Sequence, residues 1–312
     1  METLMSLWSG AVDAVFEAAV QPAVAALGLT TYLESAFDAT ELFLVGTVEV
    51  ALLALGLTLL ERWRPVEPVS DGHAVRIDVL YTLLHRLGFV PLLLFALLTP
   101  VVATIDEAMR MHDIVPWKIE DAWPWLNQHP FASFALYLVL LDFIGYWVHR
   151  AQHHFRFWWS LHSLHHSQRQ MTFWTDDRNH LLDDLFTNAV FSFTALAIGV
   201  PPMQFVSFVV VTRVLQSLQH ANVRLSFGLA EGLLVSPRFH RLHHAVGLGH
   251  EGAHQGCNFA VLFPVWDHLF GTAARQESYS QTGIRDQLAG RDYGRGFWRQ
   301  QWLGLLRMAG RA

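Results

Sequence analysis

The sequence predicts an all-α integral membrane protein, and three observations lead there. Of its 312 residues, 52% are hydrophobic and only 15% are charged, against about 25% charged in an ordinary soluble domain. The deficit falls in long apolar segments of the length that crosses a hydrocarbon core. The histidines, finally, gather at helical spacing, each cluster just beyond one of those segments.

The elements follow in order. The N-terminal stretch "METLMSLWSGAVDAVFEAAV" lacks the positive region of a signal peptide and reads as part of the mature protein. "ELFLVGTVEVALLALGLTLL" (41–60) is the clearest span, about 20 residues for a core of roughly 30 Å. "LGFVPLLLFALLTPVVATI" (87–105) is the second, expected to begin earlier, near Ile77, with Arg86 snorkelling to an interface. "FASFALYLVLLDFIGYWVHR" (131–150) is the third. "LFTNAVFSFTALAIGV" and "MQFVSFVVVTRVLQSLQH", joined at Pro201-Pro202, form a fourth unit, a helical hairpin that crosses obliquely or dips in and returns. In the tail from Ala273, the residues Phe297, Trp298, Trp302, Leu305 and Leu306 suit a helix lying on the membrane surface or packed on the cytosolic part. No repeat or flexible linker divides the chain. Residues 1–312 therefore read as a single membrane domain, with helices over 1–130 before the histidine region and a tail over 273–312.

Charge narrows the function. A net charge of −6 and the lack of a long basic run leave no footprint for nucleic acid. The single cysteine, Cys257, excludes an intramolecular disulfide and a zinc-thiolate cluster. Residues 1–40 contain no Lys or Arg, and residues 104–130 contain only Arg110 and Lys118. Most arginines follow Leu60, Val148 and Gln219, which puts the histidine clusters on the cytoplasmic side. Lys118 is the only lysine, the usage of a GC-rich bacterial genome, so the expected location is a bacterial inner membrane.

The clusters themselves are His149 and His153, four apart, then His162, His165 and His166 as H-x-x-H-H, and His240, His243 and His244 in the same pattern. On a helix, residues three and four apart share a face. Neutral imidazole is a good ligand for iron, zinc, copper or nickel. Eight imidazoles exceed what one metal takes, so two metals are the economical reading. The letters H-E-x-x-H of a hydrolytic zinc site occur once, at His250–His254, but in a glycine-rich loop without the helical framing such a site needs, and an all-histidine pair of metals beside the bilayer suits iron and oxygen better.

"HRAQHH", "LHSLHH" and "HRLHH", in this order, resemble the three histidine boxes of the fatty acid hydroxylase/sterol desaturase superfamily. "RNHLLD" (178–183), "QHANVRL" (219–225) and "CNFAVLFPVWDHLFGT" (257–272) resemble further elements of that family. The likeness covers about 135–272. It implies a base of about four spanning helices under a cytosolic, histidine-rich helical cap, and a non-haem di-iron oxygenase that hydroxylates or desaturates a lipid. It also adds His180 and His220 as ligands, although Leu181 and Asp183 depart from the family's Pro and Glu. Zinc can replace iron on expression. The sequence has no His-Pro-Gly-Gly haem element, so electrons would come from a separate donor: a ferredoxin, a cytochrome b5-like protein or a reductase.

Asp142 lies seven residues before His149 on the same helical face, and metal-bound histidines donate their other N–H to such groups. Asp142, Asp183 and Asn258 are therefore candidate partners of the ligands, while Trp266 and Asp267 are expected to close the cap. His154 lies off the box face. His250 and His254, in the glycine-rich "GLGHEGAHQG", and His73, His85, His112 and His129, outside every box, are expected to matter little. Two other classes fit less well. A zinc-dependent lipid hydrolase would want its histidines and general-base carboxylate framed on a helix rather than in a glycine-rich loop, and a metal-binding or transport protein would want polar residues along its spans.

Overall fold

The computed structural model describes residues 2–312. These are 69% helix with no β-strand among them. A continuous helical run, α1 (Glu2–Val15) passing through a π-helical segment (Phe16–Val20) into α2 (Gln21–Ala26), precedes α3 (Leu33–Trp63), the longest helix. Then follow α4 (Gly72–Arg86), α5 (Phe89–Met111), the short α6 (Ile119–Ala122), α7 (Pro130–His154) and α8 (Arg156–His166). The hairpin α9 (Leu181–Ala197) and α10 (Pro202–His220) leads to α11 (Pro237–His243), two short helices α12 (Val265–Leu269) and α13 (Arg285–Leu288), and α14 (Phe297–Met308).

Three helices are long and apolar enough to cross a membrane: Thr30–Trp63, Phe89–Met111 and Pro130–His154. Their outward faces carry exposed Leu52, Leu55, Leu59 and Phe95, a surface that only lipid would cover favourably. The hairpin is the fourth unit. Its tip packs at the far end of the spans, where Ile198 and Val200 join Ile119, Leu126 and Tyr137 in one apolar cluster and the Gln204 amide donates to Ser133 Oγ at 2.8 Å. Its other end delivers Asp183 and His220 to the histidines, so the hairpin runs the length of the bundle.

The second span does not begin near Ile77. Asp71 caps α4 by accepting from the backbone N–H groups of His73 and Ala74 at 3.1 and 3.0 Å. The helix stops at Leu87, where Gly88 adopts φ 91°. Arg86 does not snorkel either. It is fully buried, and its guanidinium donates to Glu49 at 2.5 Å, Asp176 at 2.7 Å and Asp177 at 2.8 Å. The approach depends on Gly46 of α3, where a Cβ would collide with the Arg86 carbonyl. Three carboxylates converging on one guanidinium outweigh what the interface offers a single arginine.

The tail helix α14 packs on the back of α8. Phe297 lies 4.9 Å from the Tyr81 ring, the Tyr81 hydroxyl donates to Gln300 at 3.0 Å, and Arg307 donates to the Ser160 carbonyl at 3.2 Å. Trp298 and Trp302 face outward, exposed. Of the two expectations for this helix, packing on the cap accounts for its inner face.

Candidate metal centre

Four helix ends meet under the cap. α7 brings His149 and His153, α8 brings His162, His165 and His166, α10 ends in His220, and α11 brings His240 and His243, with His244 just past its end. Nine buried imidazoles result, in two groups: His149, His153, His162, His166 and His243, and His165, His220, His240 and His244. Within each group the nearest ring nitrogens all lie within 4.8 Å of one another.

The two H-x-x-H-H motifs do not each serve one group. On α8, His162 and His166, four apart, join the first group while His165 joins the second; on α11, His240 and His244 join the second while His243 joins the first. Helical geometry explains the split. Residues i and i+4 stack almost in line along the axis, while i+3 is offset to the other flank of the stripe. Two such helices face to face each feed both groups, which are therefore adjacent: the His166 and His244 rings stack at 4.3 Å.

Tautomers follow from the hydrogen bonds. A carbonyl only accepts, so a ring nitrogen bonded to one must carry the proton. His149 Nδ1 meets Phe259 O at 2.8 Å, His153 Nδ1 meets Gln255 O at 3.1 Å, His243 Nδ1 meets Cys257 O at 2.8 Å and His220 Nδ1 meets Gln216 O at 2.8 Å. His162 Nδ1 pairs with the Asp183 carboxylate at 2.9 Å. Each of these rings is left with a bare Nε2 lone pair. Within each group Nε2 atoms point at one another: His153 to His166 and His166 to His162 at 3.1 Å, His240 to His220 at 3.0 Å. His243 Nε2 is buried with no partner. Lone pairs converging at such distances repel unless a cation lies among them, so the donor sets fit a metal in each group. Burial, reinforced by neighbouring imidazoles, holds His165, His166, His240, His243 and His244 well below the usual histidine pKa, the neutral state a metal requires.

Around the rings the expected partners sort themselves. Asp183 touches a candidate ligand, and it also accepts from Gln152 and Trp158 at 2.7 Å. Asp142 acts one step removed. It accepts from the backbone N–H groups of Leu262 and Phe263 and from Trp266 Nε1, fixing the segment whose carbonyls orient His149 and His243. Asp267 fixes the same segment through the N–H groups of Phe259 and Ala260. Asn258, in the left-handed region at φ 57°, ties Phe239 to Ala274 and touches no histidine.

His180 does not join either group, so its expected ligand role is corrected. Its Nδ1 accepts from Leu182 N–H at 3.1 Å, capping α9, and its Nε2 donates to the Gln301 carbonyl at 2.8 Å. Both nitrogens are spent on structure. Sequence reasoning missed Asp176, whose carboxylate lies 3.4 Å from His220 Nδ1 and is held by Ser217 and Arg86. It also set aside His85, which is buried against Asp184 at 3.0 Å. No local motif marks either aspartate, because only the fold brings each to its histidine. His154 and His254 are exposed, as the box pattern suggested for the first.

Helical membrane spans beneath a cap of two buried imidazole groups define a helical membrane protein whose histidine clusters could bind metal. Residues 134–272 match the family model described as Fatty acid hydroxylase. The chain carries a fatty acid hydroxylase domain over those residues, and it is similar to proteins named as hydroxylases and monooxygenases. It is 28% identical over 84% of its length to an ornithine lipid hydroxylase of Rhizobium tropici, of which it covers 77%. It is 29% identical over 54% of its length to an alkylglycerol monooxygenase of Homo sapiens, covering 34% of that protein. A fatty acid hydroxylase of a Lecanicillium species is 29% identical over 49% of this chain and 43% of its own length. No solved structure matches the chain.

Proposed function

We propose that the protein is a non-haem di-iron oxygenase that hydroxylates, or alternatively desaturates, a membrane lipid, with electrons from a separate donor such as a ferredoxin, a cytochrome b5-like protein or a reductase. The observation that carries the reading is the pair of buried imidazole groups whose ring nitrogens converge within 4.8 Å of one another. Relatives named as hydroxylases and monooxygenases of lipids favour hydroxylation.

The first group would hold one iron and the second the other, and bound iron would supply the activation of oxygen and the oxidation of a C–H group. The chain's own part is positional. Backbone carbonyls and Asp183 fix the tautomer and direction of five rings, those of His149, His153, His162, His220 and His243, with Asp176 beside His220, which is how the surroundings of a metal site set its affinity. The low exposure of all nine rings keeps water from the reacting centre. The apolar helices below leave a lipid chain able to approach from the bilayer. A zinc-dependent hydrolase would need a carboxylate beside its water, and the nearest aspartates are already committed to histidine N–H groups and backbone amides.

The test joins two measurements. Protein purified anaerobically with iron is expected to carry about two metals per chain, as two imidazole sets require. Lipid extracts of overexpressing cells, compared with deletion cells, are expected to gain a species heavier by about 16 mass units, or lighter by about 2 for desaturation. Folded protein with one metal or none, or lipids unchanged in active membranes, would overturn the reading.

A further inference from the structure

The glycine-rich loop after α11 brings a tenth imidazole to the centre. The loop lies flush on α11 because residue 249 is glycine; a Cβ there would collide with the carbonyl of His243. This close approach places the His250 ring 4.7 Å from that of His166, 5.3 Å from Trp159 and 6.0 Å from His153. His250 thus packs against two rings of the first group, although it belongs to no box.

Its hydrogen bonds decide its chemistry. His250 Nε2 meets the Gly283 carbonyl at 3.0 Å, so Nε2 carries the proton and Nδ1 carries a lone pair. That Nδ1 is buried and has no partner. His166 presents the complement. Its Nε2 faces the other imidazoles of its group, so in a metal-bound state its Nδ1 holds the proton, and that Nδ1 is also buried and unpartnered. The other four rings of the first group all have an acceptor at Nδ1, three from carbonyls and one from Asp183. His166 alone lacks one. A buried donor and a buried acceptor, each unsatisfied and each costly to leave so, sit on rings in contact at 81° to one another.

We propose that His250 is a positioning residue of the first metal site, its Nδ1 lone pair accepting the Nδ1–H of His166 directly or through one bridging water. His250 would then do for His166 what Asp183 does for His162, fixing the ring that holds the metal and raising its basicity. The sequence expectation that His250 matters little is replaced by this one. His254, four residues on, is exposed and meets only Arg150, at 3.3 Å; it is the natural control.

The proposal rests on the two-metal reading, and one experiment separates the two. The full-length protein in detergent is stripped and titrated with zinc against a chromophoric chelator, giving the affinity of each site without recourse to activity. In His250→Asn, the amide oxygen stands near the Nδ1 position and keeps the acceptor while losing the Gly283 contact. In His250→Gln, the amide nitrogen stands near the Nε2 position and keeps the Gly283 contact while losing the acceptor. Wild type and His254→Ala are expected to bind two zinc ions tightly. His250→Gln and His250→Ala are expected to weaken one of the two by about 10–100-fold, and His250→Asn to restore most of that loss. If Gln retains affinity while Asn loses it, or if both lose it equally, His250 only anchors the loop and the proposal fails. Unchanged affinity in every variant also rejects it. Wild type that binds fewer than two zinc ions overturns the two-metal reading itself.

Discussion

At the scale of residues, identical side chains have divergent fates because each ring has two nitrogens to place. His243 turns Nδ1 to a carbonyl and leaves Nε2 bare, whereas His180 spends both on an N-cap and on Gln301. His243→Ala or His165→Ala is therefore expected to abolish one bound metal and all product. His180→Ala should keep both metals and lose about 1 kcal/mol of stability, as removal of an N-cap does. Metal analysis beside a thermal melt distinguishes them, and loss of a metal in His180→Ala would reverse the assignment. Asp183→Asn leaves His162 without its carboxylate, and zinc affinity at that site should fall about 10–100-fold; an unchanged affinity would make Asp183 a packing residue only. Eight of the nine clustered histidines were legible from spacing, because a helix converts a three- or four-residue interval into a shared direction. The ninth, His220, came from resemblance. Asp176 was not legible, since nothing near it in sequence predicts that α10 will end beside it.

At the scale of elements, α4 shows why hydropathy alone misplaces a boundary. Its apolar residues continue into the second span in sequence, but Arg86 needs partners that only the interior supplies, and Gly88 breaks the helix so that it can reach them. Composition records how apolar a stretch is; it does not record that Glu49, Asp176 and Asp177 will be waiting. Arg86→Ala leaves two buried carboxylates, Asp176 and Asp177, and the half-buried Glu49 without their cation, so a loss of about 3–5 kcal/mol is expected. Gly46→Val should act similarly by forcing α4 away from α3. Urea or thermal unfolding in detergent measures both. A destabilisation of Arg86→Ala below about 1 kcal/mol would place those carboxylates in contact with water.

At the scale of the whole molecule, the ends of α3, α7 and α10 share one side. Asn222, just past α10, accepts from Val66 and Glu67, just past α3, while the hairpin tip meets residues 119–137 at the opposite end. Reporters fused after residues 65, 170 and 245 should thus read one compartment and a reporter after residue 118 the other. Arginine asymmetry predicts that the first compartment is the cytoplasm. A split among the first three would contradict the bundle, and a uniform inversion would place the histidines away from cytoplasmic electron donors.

The carbonyls of Gln255, Cys257 and Phe259 orient three imidazoles, and a carbonyl belongs to every amino acid alike. Heredity can therefore rewrite the side chains of Cys257 and Phe259 where packing permits, while Gly256 and Asn258 are held by their positive φ, and it cannot change the number of residues. Adding or deleting one residue between 255 and 259 would turn the carbonyls out of register and leave His149 or His243 facing the wrong dipole. Across descendants of this gene, the stretch should drift in letters and stay fixed in count.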